Sequence, residues 1–478
     1  MHLKSDTIHS FSVVFLNNLV SLVRGIIVAI LVPRLLSVEG YADYKVFTLY
    51  ASYIGLLHFG FVDGICVKFA GKNICEIGEG RLRLYTRILL VMEATCSIGL
   101  LGIVALCVPN EMKMILSFVA VDIFLHNMVS YFSSIFQITM QFKKYTAVGM
   151  AMNIFQILSV GILFVAYVMT CASSAVYISL FMFCNVLTLV CSIALEPKLI
   201  FGPADFLKNE AETIREMFAQ GVPLLIAGIV ATLILNMDRQ FVSMLFSKSD
   251  FAMYSFAYSM MSLITTLITS VSIVLYPTLK KTGVEQIAKN YQNICEGIEL
   301  VVFAAFLMMI PLCSFVLWFL PTYKGSLSVL IYVCPSVVMM SLLQIVIINY
   351  YKALEKTQVY FKYSIFALVI SFLMNALFYY LFRSMQAIAI ATVLSCFAWF
   401  LMCNASIAKM LNIKTGRMII SISYLLVAYY ISYGIVAPIS SLLAMAVYGV
   451  FYILGITVIL IKRKNVKVEP FERGDRHG

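Results

Sequence analysis

Charge is what this chain has least of. Asp, Glu, Lys and Arg make up 12% of its 478 residues, with Asp and Glu numbering 23, while 62% are hydrophobic. Soluble domains are about 25% charged and about 45–50% apolar. With a mean hydropathy of +0.96, the chain belongs in a bilayer.

Other absences narrow the function. No glycine-rich Walker run is present, which excludes ATP hydrolysis by a P-loop in this chain. The 12 cysteines show no Cys-x-x-Cys spacing and fall mostly in apolar runs. They read as small packing residues rather than disulfides or metal ligands. No Ser, His and acid arrangement occupies an external loop, and no cofactor is implied. The outer connections are all short, which argues against a polymerase or ligase that would work in a long external loop. The segment before the first span has no small-residue cleavage site behind it, so that span reads as a retained helix.

What is present is a series of fourteen apolar runs, each near the ~20 residues that a membrane crossing needs. They cover 11–36, 45–69, 85–108, 113–139, 146–170, 174–195, 220–246, 251–278, 294–320, 325–350, 360–382, 385–408, 417–436 and 439–461. The expected fold is an all-α polytopic membrane protein with two pseudo-symmetric six-helix lobes and two further C-terminal helices. The lobes are read at 1–196 and 220–410, the extra helices at 411–461 and a basic tail at 462–478. Between the lobes, 197–219 mixes charges with Phe206, Leu207, Ile214, Met217 and Phe218, the pattern of an interfacial helix.

The basic residues orient the chain. Six of the 34 Lys and Arg fall on the outside (Arg34, Lys45, Lys113, Lys248, Lys324 and Arg383) and two within spans (Arg24 and Arg239). The rest lie inside when the N-terminus is inside, which predicts two cytoplasmic termini. The net charge of +11 therefore calls for no nucleic-acid partner. Lys462, Arg463, Lys464 and Lys467 read as an anchor to anionic lipid.

One hairpin is written twice. At an offset of 210, Leu35/Leu245, Ser37/Ser247, Ala42/Ala252 and Tyr44/Tyr254 are identical, and Leu36/Phe246, Tyr41/Phe251 and Val46/Phe256 keep their character. Tyr85/Tyr291 and Glu93/Glu299 match at 206, the drift a loop deletion produces. Two similar halves around a central site are how many secondary transporters build alternating access. The matched Glu93 and Glu299 are gating candidates.

Polar groups inside the spans mark candidate sites, because an Arg near the bilayer centre costs at least about 2.5–3.5 kcal/mol. Arg24 lies some thirteen residues into its span, roughly 20 Å at the helical rise, and shares a face with Asn17 and Ser21. It either faces a wet cavity or forms a buried ion pair with Asp63 or Asp122. Near the end of the seventh span, Asp238 and Arg239 follow Asn236 and point about 100° apart. One of them faces the cavity, or Arg239 snorkels while Asp238 bonds a neighbouring helix. In the fourth span, Asp122, His126, Ser130, Ser133 and Gln137 lay a polar stripe along one face, suited to a proton relay or to helix packing. Ser255, Ser259, Ser262, Thr266 and Thr269 form a milder stripe in the eighth. Pro223, Pro277, Pro311, Pro335 and Pro438 fall in or beside spans, where they can kink them.

The stretch Asn236, Asp238, Arg239, Leu245-Phe246, Tyr254 and Ala257, with its partner from Arg34-Leu35-Leu36-Ser37 through Glu39 to Tyr44, resembles the Wzx-type flippases of lipid-linked oligosaccharides. These O-antigen and exopolysaccharide exporters belong to the multidrug/oligosaccharidyl-lipid/polysaccharide exporter (MOP) superfamily. The resemblance covers the whole chain in length, helix number and charge placement. Its departure is Ala42 and Ala252 where the family usually has Gly before the hairpin aromatic. It implies a V-shaped pair of lobes around a cationic cavity in a bacterial inner membrane protein that is not an enzyme. An undecaprenyl-diphosphate-linked glycan would be moved outward, with Arg24 and then Arg239 on the diphosphate. Asn17, Ser21, Ser130, Ser133 and Gln137 would serve the sugars, and the prenyl tail would stay in lipid. Partners beyond the substrate and membrane lipids are left open: a coupling cation or proton, and a polysaccharide polymerase with its chain-length machinery. A cation-coupled drug or metabolite exporter of the same superfamily is the alternative, with Asp63, Asp122 and Asp238 as the residues that matter.

Overall fold

A computed structural model describes residues 2–206, 210–269 and 284–465, and every regular element among them is helical. The first half comprises α1 (His2–Leu35), α2 (Val38–Ala51), α3 (Phe61–Phe69), α4 (Glu79–Cys107), α5 (Asn110–Ile138), α6 (Phe142–Val168) and α7 (Ser174–Leu195). The second comprises α8 (Glu210–Leu245), α9 (Lys248–Thr269), α10 (Val284–Ala305), α11 (Met309–Phe319), α12 (Ser326–Val333), α13 (Ser336–Ala353), α14 (Thr357–Phe382), α15 (Met385–Leu411), α16 (Gly416–Tyr429) and α17 (Ser441–Asn465).

Among the described residues, 11 helices are long and apolar enough to cross a membrane, or 12 if the bent pair Val38–His58 and Phe61–Phe69 is one span. Of the other runs expected, the eighth reaches residue 278, beyond the described residues, and the fourteenth is the shorter apolar helix Ser441–Thr457. Leu207, Pro277, Lys467 and the side chains of Thr266, Thr269, Lys462, Arg463 and Lys464 also lie outside the described residues.

The duplicated sequence builds the same local structure twice. Ser37 ends the α1–α2 turn, its hydroxyl accepting from the Gly40 amide at 3.1 Å, and Ser247 does the same for the Asp250 amide at 3.1 Å. Each hydroxyl satisfies one of the orphan donors at a helix start. The matched residues that follow, Tyr41, Ala42 and Tyr44 in one copy and Phe251, Ala252 and Tyr254 in the other, are all buried.

The two halves meet most tightly where α3 crosses α8. Phe59 and Gly60 both adopt left-handed backbone, with φ of 49° and 79°, and the chain bends by 58° into α3 there. A Cβ on Gly64 would collide with the Met217 carbonyl oxygen, and one on Gly221 with that of Gly60, so only glycine permits this backbone approach. Phe61 stacks on Phe218 at 5.0 Å, and Lys68 pairs with Glu216 at 2.6 Å. Beside them Glu210, 1% exposed, takes both Arg81 Nε at 3.0 Å and Arg81 Nη2 at 3.2 Å, together with the Tyr85 hydroxyl. Removing one partner of such a buried pair costs about 3–5 kcal/mol. The separate interfacial helix expected at 197–219 is replaced by a short 3-10 turn at Pro197–Leu199 and by the first turns of α8, which runs unbroken past residue 219. Its apolar residues Met217 and Phe218 face α3 instead of lipid headgroups.

In the second half, breaks in the helices are repaired by tyrosines. Pro335 has no N–H to give the Ile331 carbonyl, and the Tyr429 hydroxyl donates there at 3.0 Å while Tyr430 serves the next carbonyl, Tyr332, at 2.9 Å. Around the 3-10 turn Phe306–Met308, Tyr433, Tyr448 and Tyr452 donate to the carbonyls of Phe306, Phe303 and Leu300, each at 2.8 Å. These bonds clamp α16 and α17 onto the preceding helices. Tyr429→Phe leaves the Ile331 carbonyl unserved and lowers unfolding free energy by about 1–3 kcal/mol. A lower midpoint of thermal unfolding in detergent checks this, with the exposed Tyr380→Phe unchanged.

Candidate central cavity

Two cavities that share Lys45, Ser259 and Ser262 lie between the halves. One, of about 160 Å³, is lined by Arg24, Gly25, Val28 and Ala29 of α1, Tyr44 and Lys45 of α2, Gln156 of α6, Tyr177 and Phe181 of α7, and the two α9 serines. The other, of about 170 Å³, adds Thr48, Leu49, Arg239, Phe251, Ser255 and Tyr258. Arg24, Lys45 and Arg239 sit roughly 16, 10 and 9 Å along their helices from the nearer hairpin turn, at depths where water is excluded unless the protein provides a cavity.

The polar stripe of α1 is met by amides from α6. Asn153 Nδ2 donates to Asn17 Oδ1 at 3.1 Å and to Ser21 Oγ at 2.9 Å, and Arg24 Nη1 donates to Gln156 Oε1. Gly149 leaves the space that the Asn17 amide fills. Arg24 lines the first cavity, and among the described residues it makes no ion pair with Asp63 or Asp122.

Asp238 and Arg239 divide as their angular separation requires. Asp238, 2% exposed, accepts from Tyr254 at 2.8 Å, from Thr392 at 3.0 Å and from Tyr258. All three hydroxyls meet Oδ2 while the Arg239 amide donates to Oδ1 at 2.7 Å, and Asp238 lines neither cavity. Arg239 stacks over the Tyr258 ring at 4.9 Å and donates to Asn236 Oδ1 and the Leu235 carbonyl. Asp238 thereby fixes the ring on which Arg239 rests.

The remaining candidates lie elsewhere. Asp63 is 3.9 Å from His58 at the bend before α3. Asp122 is buried and accepts from Asn185 of α7 at 2.7 Å. His126, Ser130 and Gln137 are exposed on α5 and Ser133 is half-buried there, and none lines either cavity. Glu93 accepts from Asn127 at 2.8 Å and Glu299 from Ser421 at 2.5 Å, each within its own half of the chain. The charged contacts across the α3–α8 crossing are instead those of Glu210 and Glu216.

Sequence reasoning missed Lys45 and Gln156. By sequence Lys45 counts among the outside charges, but α2 begins at Val38 and carries it a further two turns inward, over the rings of Tyr41 and Tyr44 at 5.3 and 5.4 Å. Its place one residue after the repeated tyrosine was the signal available, since the second copy has Ser255 there. Neither cavity is lined by Asp or Glu among the described residues.

Residues 105–326, just under half the chain, match the family described as polysaccharide biosynthesis protein. No curated protein matches the chain by sequence. Among solved structures, the lipid II flippase MurJ in an inward closed conformation aligns with a TM-score of 0.64 at 14% identity, covering 96% of this chain and 100% of that one. An inward-facing multidrug resistance MATE family transporter of the MOP superfamily aligns at 0.59 and 14%, covering 83% and 95%. A mutant of the Vibrio cholerae MATE transporter VcmN aligns at 0.55 and 11%, covering 84% and 96%. The chain thus carries the helical membrane fold common to these transporters.

The Tyr254 and Tyr258 hydroxyls depend on this carboxylate, whereas Thr392 also reaches the Ile388 carbonyl at 3.1 Å, so Asp238→Leu strands two of the three. It should destabilise the protein by about 2 kcal/mol or more at roughly 1 kcal/mol or more per orphaned group. Thermal unfolding of the purified variant beside Tyr258→Phe, which removes one donor and should cost less, checks the ordering.

Proposed function

We propose that the chain is a flippase that carries an undecaprenyl-diphosphate-linked oligosaccharide from the cytoplasmic to the outer leaflet by alternating access, for cell-surface polysaccharide biosynthesis. It works in the cytoplasmic membrane of a bacterium, with both termini in the cytoplasm. The observation that carries this reading is the pairing of three cations, Arg24, Lys45 and Arg239, with no carboxylate on the walls of the cavities they line. Like charges held together out of bulk water repel one another, and a diphosphate between them turns that repulsion into attraction. Guanidinium groups suit phosphate oxygens because they donate in a planar fork.

The neutral lining supports the same substrate. Ser255 has a buried hydroxyl without a partner, and the hydroxyl oxygens of Ser259, Ser262 and Thr48, which donate to backbone carbonyls, can still accept from sugars, while aromatic faces pack against pyranose rings. A cationic drug would be favoured by acidic walls, and among the described residues no Asp or Glu lines either cavity. The family match to polysaccharide biosynthesis proteins points the same way. A prenyl tail would remain in the bilayer while the head group crosses.

Replacing any one of the three cations by alanine removes charge-assisted bonds of about 1.5–3 kcal/mol, so surface glycan at equal expression should fall roughly 10-fold or more. At equal expression, Asp63→Asn and Asp122→Asn should leave export within about twofold of wild type, a change of about 0.4 kcal/mol in the barrier, because neither residue lines a cavity. Wild-type export by all three alanine variants would sink the proposal, and loss confined to the acid variants would favour the cation-coupled exporter.

A further inference from the structure

We infer that Gln156 is a positioning and specificity-determining residue of this cavity, holding Arg24 through its carbonyl oxygen while offering its amide nitrogen to the same anion. The inference rests on the reading of the cavity as an anion site. It begins with the inventory of donors: a guanidinium has only N–H groups and accepts nothing. The atom of Gln156 that meets Arg24 Nη1 must therefore be Oε1, which turns Nε2 the other way. Gln156 is 3% exposed, and its Nε2 has no hydrogen-bond partner. Arg24 Nε is likewise buried and unpaired. Both residues line the same cavity of about 160 Å³.

Two neighbouring buried donors without an acceptor are costly to leave so, and the local structure does nothing to relieve them. Asn153, one turn back along α6, is occupied by Asn17 and Ser21, and the Ser159 hydroxyl donates to the backbone carbonyl of Gln156. An anionic oxygen in the cavity would satisfy both donors together. The choice of an amide matters in itself. A glutamate at 156 would hold Arg24 more strongly, but it would cancel the positive charge and replace a donor with a second acceptor. Glutamine fixes the guanidinium and leaves its charge for the ligand.

This separates the proposed role from a merely structural one. If position 156 served only to anchor α1 on α6, Gln156→Glu would be harmless or stabilising, since it converts a hydrogen bond into an ion pair. If it serves the anion, Gln156→Glu is the most damaging replacement available. The test is binding of farnesyl diphosphate to the purified full-length protein in detergent, with farnesol as the uncharged control and the unfolding midpoint recorded for each variant. Gln156→Glu should keep or raise the midpoint while weakening farnesyl diphosphate binding at least as much as Arg24→Ala. Gln156→Met, similar in shape but with neither donor nor acceptor, should weaken it about 10-fold, the value of one or two bonds to a charged group, without changing farnesol binding.

Diphosphate binding at wild-type strength by either Gln156→Glu or Gln156→Met overturns the inference. Should Gln156→Glu fail to fold, the Gln156→Met comparison decides alone. Failure of the underlying reading looks different: wild type and Arg24→Ala would then bind farnesyl diphosphate equally, or neither would bind it.

Discussion

A bilayer offers no hydrogen bonds, so every polar group that this chain carries into it must be met from within the bundle. The rest of the structure follows from how that requirement is handled. Where helices break at Pro335 and around Phe306, tyrosines from α16 and α17 supply the missing donors. Where α1 carries Asn17 and Ser21, α6 supplies Asn153. Where α8 carries a carboxylate, three hydroxyls surround it. Among side-chain nitrogens the exceptions cluster. Of the buried side-chain nitrogens left without a partner among the described residues, those of Arg24, Gln156 and Arg239 belong to the central cavity site, and Trp399 contributes the fourth. Several unpartnered oxygens, among them those of Tyr323, Ser336 and Ser432, lie away from the cavities, so it is the nitrogen donors that gather where a ligand with acceptors would sit.

Arg24 was legible in the sequence because its depth and its spacing from Asn17 and Ser21 are matters of helical geometry. The repeated hairpin was legible because Ser37 and Ser247 do the same capping chemistry and the residues after them fill the same buried places. The count of charges misled at Lys45. Its side chain belongs to a helix that starts at Val38, several residues before the apolar run that seemed to define the span. Gln156 could not be singled out, since one neutral amide in a hydrophobic run looks like packing until its partner is known. The stripe on α5 shows the opposite error. Its spacing is as regular as that of α1, yet Asp122 turns to Asn185 and the exposed members contribute to neither cavity. Periodicity reveals that residues share a face but not what lies opposite it.

Glu93 and Glu299 carry a related lesson. Matching positions in the two copies were read as a gate, but each carboxylate is engaged inside its own half. A residue repeated because two halves share a fold is there for what each half needs by itself. The charged groups that join the halves beside the α3–α8 crossing lie outside the matched pairs. Glu210 and Glu216 lie on the first turns of α8, and they meet Arg81, Tyr85 and Lys68, which come from the other half. The counterpart of Tyr85 in the repeat, Tyr291, donates instead to Asn404 at 2.9 Å.

That asymmetry bears on how the halves can move. The α3–α8 crossing joins backbone to backbone through Gly60, Gly64 and Gly221, and beside it the carboxylate of Glu210 is buried and paired. Separating it would expose tightly packed backbone and strand Glu210 at several kcal/mol. The approach of α1 to α9 is looser: a Cβ placed on Gly25 would meet Leu263 at an ordinary 3.8 Å, and the cavity runs directly along this seam through Gly25, Ser259 and Ser262. Rigid halves that rock about a central site need one joint that holds and another that parts. The glycine crossing has the chemistry of the joint that holds, and the cations lie beside the one with less to lose on parting.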